Sequence, residues 1–245
     1  MPADEIEIRE CTTVEEMAEC VQLQREVFAL PESELSPVRH LVVTRNAGGW
    51  SLGAFDGERL AGFVLSVPAF FRGERAFYSH MTGVRPEFQS HGIGARLKWA
   101  QRARALSEGV THIRWTFEPV KARNAFFNLE KLGAVVCEFR PNFYGTDYAS
   151  SSQVGLASDR LFAEWHLNDQ KVAALSRGEN VEPREPAAMI EIMNDWPGLV
   201  AADPQAALKE QERIRGEFQE AFADGFVCRG FLRDEARPQF LLYHD

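Results

Sequence analysis

The feature that most constrains the fold of this chain is the segment 80–95, in which a strand ends, a turn follows and two glycines open a helix. Arg85-Pro86 ends the strand, and Gly92 and Gly94 stand at the start of the helix. Two glycines let the backbone approach a ligand closely, and the free N–H groups of a helix N-terminus favour a phosphate. The segment therefore predicts a turn that binds a pyrophosphate.

A Gly-x-Gly pair is weak evidence when taken alone, because a helix can also begin at such a turn without any ligand. A dinucleotide-binding fold needs a third glycine three residues further on, and that position holds Leu97. A Walker loop needs Gly-Lys-Ser/Thr, which is absent from the sequence. Both of these nucleotide-binding classes are therefore excluded.

The periodicity of apolar residues predicts a mixed α/β fold. A capping box at Thr13-Val-Glu-Glu16 begins the first helix, and Asp56-Gly57 marks a hairpin. Predicted helices cover 14–30, 38–45, 93–108, 123–132, 170–175 and 204–222. Predicted strands cover 5–10, 50–55, 60–70, 76–84, 111–117, 134–140, 159–167, 188–193, 226–233 and 239–243. Connections rich in small or polar residues are predicted at 149–158 and 178–186.

Composition limits the functional classes. The chain has 245 residues, of which 45% are hydrophobic, enough for a full-size core. Its net charge of -9 argues against a nucleic-acid partner and is compatible with a cationic or neutral small molecule. The acidic N-terminus is unlike a signal peptide, and no apolar run reaches the ~20 residues of a membrane span. We expect no membrane association.

The cysteines predict neither a metal site nor a redox motif. Cys11, Cys20, Cys137 and Cys228 include no Cys-x-x-Cys pair, and none has a histidine at metal-ligand spacing. Scattered thiols of this kind are typical of reduced proteins, so we expect a cytoplasmic location.

Two segments together resemble the GNAT N-acyltransferases. Val84-x-Pro86-Glu-x-Gln89-x-x-Gly92-x-Gly94-Ala95 resembles their acyl-CoA-binding motif, Gln/Arg-x-x-Gly-x-Gly/Ala after a strand. The segment 125–134, Ala-Phe-Phe-Asn-Leu-Glu-Lys-Leu-Gly-Ala, resembles the family's helix before its sixth strand. The resemblance covers roughly residues 6–168, and the whole pattern looks like a poorly characterised bacterial branch with an extra C-terminal part.

The resemblance implies a twisted mixed sheet that is flanked by helices and split between its fourth and fifth strands, here 76–84 and 111–117. It implies a GNAT-like acyl-CoA-binding acyltransferase core at residues 1–168, followed by a packed α/β C-terminal extension at 169–245. Coenzyme A or acetyl-CoA would lie in the split as the cofactor, with its pantetheine added to the sheet like an extra strand.

Most of the expected cofactor-binding residues belong to the fourth strand and the loop that follows it. The pantetheine would pair with backbone at Thr82, Gly83 and Val84, and a strand-four amide near Val84 would stabilise the thioester oxygen. Asn124 or Asn128 would bond the pantetheine amides. The pyrophosphate would lie on the backbone amides of Gln89, Ser90, His91, Gly92, Ile93, Gly94 and Ala95.

The proton carriers are less clear from sequence, because the family often has a general-acid tyrosine where this chain has Leu129. Tyr144 is predicted as the replacement acid, and Glu118 as the base that takes a proton from the acceptor amine. Glu118 is equally compatible with an ion pair to Arg123, and Tyr144 with a packed aromatic role. His80 in the fourth strand is also a possible base, although a lone strand histidine is more often structural.

The expected activity is direct transfer of an acyl group from acyl-CoA, typically acetyl-CoA, to an amine of a small molecule or peptide in a ternary complex. One alternative is a module that binds acyl-CoA without catalysis, which Leu129 favours. Another is a structural or partner-binding α/β protein. A homodimer is a further possibility that the sequence leaves open.

Overall fold

The computed structural model describes residues 6–28, 30–146, 155–182 and 184–244. The chain divides into two compact units, residues 1–114 and 115–245. The predicted boundary at 168/169 lies inside the second unit and stays a prediction. Glu5, Ala29, most of the 149–158 connection and Pro183 of the 178–186 connection lie outside the described residues.

The described residues form seven α-helices and ten strands. The helices are α1 (Val14–Phe28), α2 (Val38–Asn46), α3 (Ile93–Ser107), α4 (Ala122–Phe126), α5 (Gln170–Ser176), α6 (Trp196–Ala202) and α7 (Pro204–Ala223). The strands are β1 (Ile6–Glu10), β2 (Trp50–Asp56), β3 (Arg59–Phe71), β4 (Glu74–Val84), β5 (His112–Phe117), β6 (Val135–Arg140), β7 (Arg160–His166), β8 (Ala188–Glu191), β9 (Phe226–Leu232) and β10 (Gln239–His244).

In the first unit, β1, β2, β3 and β4 follow one another as antiparallel neighbours, and the start of β5 pairs with β4 in parallel. Met17 and Leu23 of α1 pack in one buried cluster with Phe63 and Leu65 of β3. The sheet is therefore mixed, as the sequence predicts, and α1 covers part of it.

The capping box that begins α1 is confirmed. The Glu16 N–H donates to Thr13 Oγ1 over 3.2 Å, and the Thr13 N–H donates to Glu16 Oε2 over the same distance. Each side chain thus satisfies a backbone group that has no partner inside the helix.

In the second unit the strand order is β7-β6-β9-β10-β8, and the described pairs are antiparallel. The two last strands, β9 and β10, were predicted at 226–233 and 239–243, and they form an antiparallel hairpin. Val136 of β6 pairs with Cys228 of β9, so strands of the predicted extension continue the sheet beyond β6. Phe218 of α7 stacks on Phe139, with ring centroids 5.9 Å apart.

The predicted helix 123–132 is instead α4 followed by one turn of π-helix, Phe127–Lys131. Helix α6 was not predicted; its signal is Asp195 before Trp-Pro, and the Asp195 side chain caps the Gly198 N–H. Among the four cysteines, Cys137 is exposed and the other three are buried. In the described part of the chain, none of the helices combines the length and apolarity required to cross a bilayer.

Candidate functional site

Strand β4 parts from β5 soon after the two meet. Their described pairing consists of Phe77 with Ile113 and Tyr78 with Arg114. From Ser79 onward β4 remains paired only with β3 among the described strands of this unit, as far as Val84 with Gly62. The edge of β4 that faces away from β3 is therefore open along Thr82–Val84. This matches the predicted split between strands four and five.

The separation coincides with a β-bulge at His80. Leu65 of β3 lies opposite Met81, and the next residue, Ser66, lies opposite Ser79, so His80 has no counterpart on β3. A bulge bends its strand and increases the local twist. The extra residue thus gives a physical reason for β4 to turn away from its parallel neighbour at this point.

The loop after β4 is shaped by two left-handed residues and a side-chain tether. Ser90 and Gly92 have φ angles of 66° and 77°. Gln89 Nε2 donates to the Val84 carbonyl over 3.0 Å, which ties the loop back to the end of β4. His91 is exposed, and its Nδ1 lies 2.7 Å from the Gln89 carbonyl. The side chain of Gln89 thus connects the loop to the end of β4.

The N-terminus of α3 is open to an anion. Its N-cap is Gly92, and no side chain caps the helix. The first-turn N–H groups of Ile93, Gly94 and Ala95 therefore have no capping partner and carry the positive end of the helix dipole. A Cβ built on Gly94 would have a single neighbour within 4 Å, Val84 Cγ2 at 3.9 Å, so the protein itself does not require a glycine there.

The segment of β4 that is predicted to pair with pantetheine, Thr82–Val84, is held in place by its neighbours in the first unit. Thr82 pairs with Val64, and Gly83 with Phe63. A Cβ on Gly83 would approach Leu23 of α1 to 2.9 Å, so this glycine lets α1 lie close to the strand. The structure thus explains Gly83 by packing, and its predicted contact with a cofactor remains a prediction.

In the second unit, Glu118 follows β5 and is held by two cations. Its Oε1 is 3.3 Å from Arg160 Nη1, and its Oε2 is 3.8 Å from Lys121 Nζ. The Glu118 side chain is 13% exposed. Glu118 is thus ion-paired, and its partners include Arg160 and Lys121.

Tyr144 lies against the same arginine. Its ring is 5.0 Å from the Arg160 guanidinium carbon, and its hydroxyl is 3.4 Å from Thr116 Oγ1. The Tyr144 N–H donates to Ser158 Oγ over 2.7 Å, which fixes the loop, while the residue remains 41% exposed. Both predicted proton carriers therefore border Arg160, and the phenol is accessible.

The segment that resembles the second family motif has a buried side and an exposed side. Leu129, at the usual tyrosine position, is fully buried. Asn128 is also buried, and its Oδ1 accepts a hydrogen bond of 3.2 Å from Trp115 Nε1, whereas Asn124 is exposed. Asn128 thus has a structural partner for its carbonyl oxygen within the fold.

A polar cluster around His80 was not predicted. His80 Nε2 lies 3.1 Å from Ser36 Oγ, and the rings of His80 and His40 meet edge to face at 6.1 Å. Burial, and secondarily the nearby His40, lower the pKa of His80 below its ordinary value. Ser36 and His40 lie in a stretch predicted as a loop and a short helix, and they carry no motif that could have revealed the cluster.

Comparisons with known proteins bear on the family and the fold of this chain. Residues 14–134 match the model of the acetyltransferase (GNAT) family. No curated protein matches the chain in sequence.

Solved structures show the same fold. A GNAT family acetyltransferase from Elizabethkingia anophelis with acetyl-CoA bound is 16% identical, with a TM-score of 0.50 over 66% of this chain and 99% of that one. An aminoglycoside 6'-acetyltransferase type Ii is 17% identical, with a TM-score of 0.54 over 67% and 99%. The ribosomal-protein-S18-alanine N-acetyltransferase from Escherichia coli is 15% identical, with a TM-score of 0.53 over 73% and 99%.

Proposed function

We infer that this chain, whose residues 14–134 match the model of the acetyltransferase (GNAT) family, transfers an acyl group from acyl-CoA, typically acetyl-CoA, to an amine. The observation that carries the proposal is the uncapped N-terminus of α3 behind the left-handed turn at Ser90 and Gly92. Backbone N–H groups at such a helix end are suited to a pyrophosphate.

The cofactor would use the open edge of β4 and the start of α3. The pantetheine would pair with backbone at Thr82, Gly83 and Val84, and the pyrophosphate would lie on the amides of Gln89 to Ala95. Asn124 and the NH₂ of Asn128 would contact pantetheine amides. The open edge supports this arrangement, because β4 lacks a described partner on that side in the first unit after Tyr78.

The acceptor would be an amine of a small molecule or peptide, attacking the thioester directly. Structurally similar proteins include an aminoglycoside acetyltransferase and a ribosomal-protein acetyltransferase. Neither identifies the acceptor of this chain. Tyr144 would protonate the departing thiolate, and Glu118 would take a proton from the attacking nitrogen. A cytoplasmic location remains a prediction from the four scattered cysteines of the sequence.

Thermal unfolding with and without millimolar coenzyme A tests the cofactor. A ligand that binds only the folded chain adds about 2.7 kcal/mol at 100-fold excess over its Kd, so the melting temperature should rise clearly. The same concentration of adenosine monophosphate, which lacks the pyrophosphate and pantetheine, is the control. A melting temperature that coenzyme A leaves unchanged would contradict the proposal.

Release of free thiol from acetyl-CoA in the presence of an amine panel tests catalysis. Glu118→Gln and Tyr144→Phe should each lower turnover by about 10²–10⁴-fold while the thermal shift with coenzyme A persists. If both variants keep full activity, these roles are wrong. A wild-type protein that binds coenzyme A and transfers to no amine would favour the alternative, a non-catalytic acyl-CoA-binding module.

A further inference from the structure

Four polar side chains of the first unit form a buried hydrogen-bonded network between α3 and the sheet. Lys98 and Gln101 belong to α3, Ser66 to β3 and Ser79 to β4, and each of the four is at most 5% exposed. Lys98 Nζ donates to Ser79 Oγ over 3.1 Å and to Gln101 Oε1 over 2.5 Å. Gln101 Nε2 donates to Ser66 Oγ over 2.8 Å and to Ser79 Oγ over 3.1 Å. The network thus joins one helix to two neighbouring strands.

The network lies where the sheet begins to open. Ser66 and Ser79 are opposite each other on β3 and β4, and the bulged residue His80 follows Ser79 directly. The last described pair between β4 and β5 is formed by Tyr78, one residue before Ser79. The hydrogen bonds from α3 therefore reach β4 at the place where this strand leaves its parallel neighbour.

Stability alone does not account for polar side chains at this position. Other buried residues of α3 are apolar, among them Ile93, Leu97 and Ala105, so apolar side chains would also suit the contact with the sheet. Replacing a whole set of buried polar partners by apolar groups of similar volume is often neutral or even stabilising. Hydrogen bonds are directional, however, and a buried network specifies one arrangement where apolar contacts allow several.

The two elements that the network joins carry the two halves of the proposed cofactor site. The first-turn amides of α3, at Ile93–Ala95, lie about 5–8 Å along the helix axis from Lys98. The open edge Thr82–Val84 begins three residues after Ser79, about 10 Å along β4. Coenzyme A carries its pyrophosphate and its pantetheine in one molecule, so both halves bind fully only when the helix and the strand are correctly placed relative to each other.

We propose that this buried network sets the start of α3 against the open edge of β4, so that one coenzyme A molecule can bind to both. The proposal rests on the proposed cofactor site. The four residues are positioning residues: they act through the placement of the helix amides and of the strand backbone, which are the groups that contact the cofactor.

Replacing the whole network by apolar side chains tests the proposal. The variant combines Lys98→Met, Gln101→Leu, Ser66→Ala and Ser79→Ala, which removes every member of the network at once. Its free energy of unfolding at pH 7 should equal or exceed that of wild type, because no polar group of the network is left buried without its partner. Its affinity for coenzyme A, measured by calorimetry, should fall by about 10–100-fold, because the two binding surfaces are no longer held in one relative position.

Two fragments of the cofactor separate positioning from binding at either surface. ADP carries a pyrophosphate, pantetheine carries the other half, and each fragment needs only one of the two elements. Both should bind the variant as they bind wild type in ligand-observed NMR titrations, so that the loss appears only with the intact cofactor. The control combines Arg104→Met and Ser107→Ala, at two exposed polar residues of the same helix, and should bind all three probes normally.

The outcomes separate the positioning role from the cofactor site itself. Unchanged affinity for coenzyme A in the folded four-residue variant would overturn the positioning role, and so would a loss with ADP as large as the loss with coenzyme A. If that variant does not fold, Ser79→Ala, which removes the contact with β4 and keeps the one between Gln101 and Ser66, decides the same question with the same probes. A wild-type protein that does not bind coenzyme A would contradict the proposed cofactor site, and the positioning role with it.

Discussion

At the scale of single residues, the two glycines of the cofactor loop have different reasons to be glycine. Gly92 has a φ angle of 77°, which disfavours any residue with a Cβ, whatever the space around it. Gly94 is the second residue of α3 and is barely contacted by other atoms. Only Gly94 is thus left without an explanation from the fold, and a ligand that approaches its backbone supplies one.

Replacing Gly94 should therefore affect the ligand more than the fold. Gly94→Val should unfold at nearly the wild-type temperature but lose the shift with coenzyme A, because a branched side chain blocks approach to the helix amides. Gly216→Val, also in a helix and with no atom within 4 Å of its Cβ position, is the matched control and should keep the shift. Normal binding by Gly94→Val would show that the loop is assigned wrongly.

Lys98 of α3 is a buried lysine whose pKa is lowered by burial. It is 2% exposed, and its Nζ lies 3.1 Å from Ser79 Oγ and 2.5 Å from Gln101 Oε1. Burial lowers its pKa well below the ordinary 10.5. Between the folded and unfolded pKa values the unfolded chain binds one more proton, so this group makes the protein less stable as pH falls and more stable as pH rises towards 10.5.

Lys98→Met should remove that dependence. The free energy of unfolding of both proteins can be measured by chemical denaturation between about pH 7 and 10. As the pH rises, the value for wild type should increase relative to that for Lys98→Met by up to about 1.4 kcal/mol per pH unit. Lys209→Met, at an exposed site in α7, should run parallel to wild type over the same range. If Lys98→Met also runs parallel, the lysine is charged in the folded state.

At the scale of elements, the π-helical turn Phe127–Lys131 is held by the C-terminal part of the chain. Lys171 of α5 donates to the Leu129 carbonyl over 3.1 Å and to the Arg229 carbonyl over 2.8 Å. The Phe231 N–H of β9 donates to Glu130 Oε1 over 2.7 Å. The wider turn is therefore secured from two sides by elements of the predicted extension.

Lys171→Met should loosen this turn. Losing two partly buried hydrogen bonds to carbonyls is expected to cost about 1–3 kcal/mol of unfolding free energy. Hydrogen exchange should rise at residues 127–131 before it rises in β3 of the first unit. Lys131→Met removes an exposed lysine from the turn itself and serves as the control. Unchanged exchange at 127–131 in Lys171→Met would show that the turn does not depend on the extension.

At the scale of the whole chain, residues 169–245 are part of the second unit and not a loose tail. Phe218 of α7 is fully buried against Phe139 and Phe240, and β9 pairs with β6. A segment that buries aromatic side chains and extends a sheet is expected to fold with the strands it covers.

A cut in the 178–186 connection should therefore leave the two pieces together. Limited proteolysis is expected to cleave there first, and the fragments should elute as one species on gel filtration and still respond to coenzyme A. A control digestion in denaturant should separate them. Progressive loss of residues 187–245, while the remainder stays folded, would contradict the packing. The same elution volume also tests whether the chain forms the homodimer that the sequence leaves open.

The sequence by itself determined the features that depend on near neighbours. The capping box of α1, the glycines at the start of α3 and the hairpin of β2 and β3 at Asp56-Gly57 follow from residues within a few positions of one another. Each is a local backbone requirement, and such requirements leave a readable pattern of residue types. The family motif is also a short run of neighbouring residues, so a cofactor loop can be predicted from it.

Only the tertiary structure decided what brings distant residues together. Ser36 and His80 are 44 positions apart, and the bulge at His80 depends on the register between two whole strands. Glu118 pairs with the distant Arg160, and the carbonyl of Leu129 accepts from Lys171, 42 positions away. A single polar residue has no sequence pattern that identifies a partner far along the chain. Such a pair can be recognised only after the packing of strands and helices has brought the two side chains together.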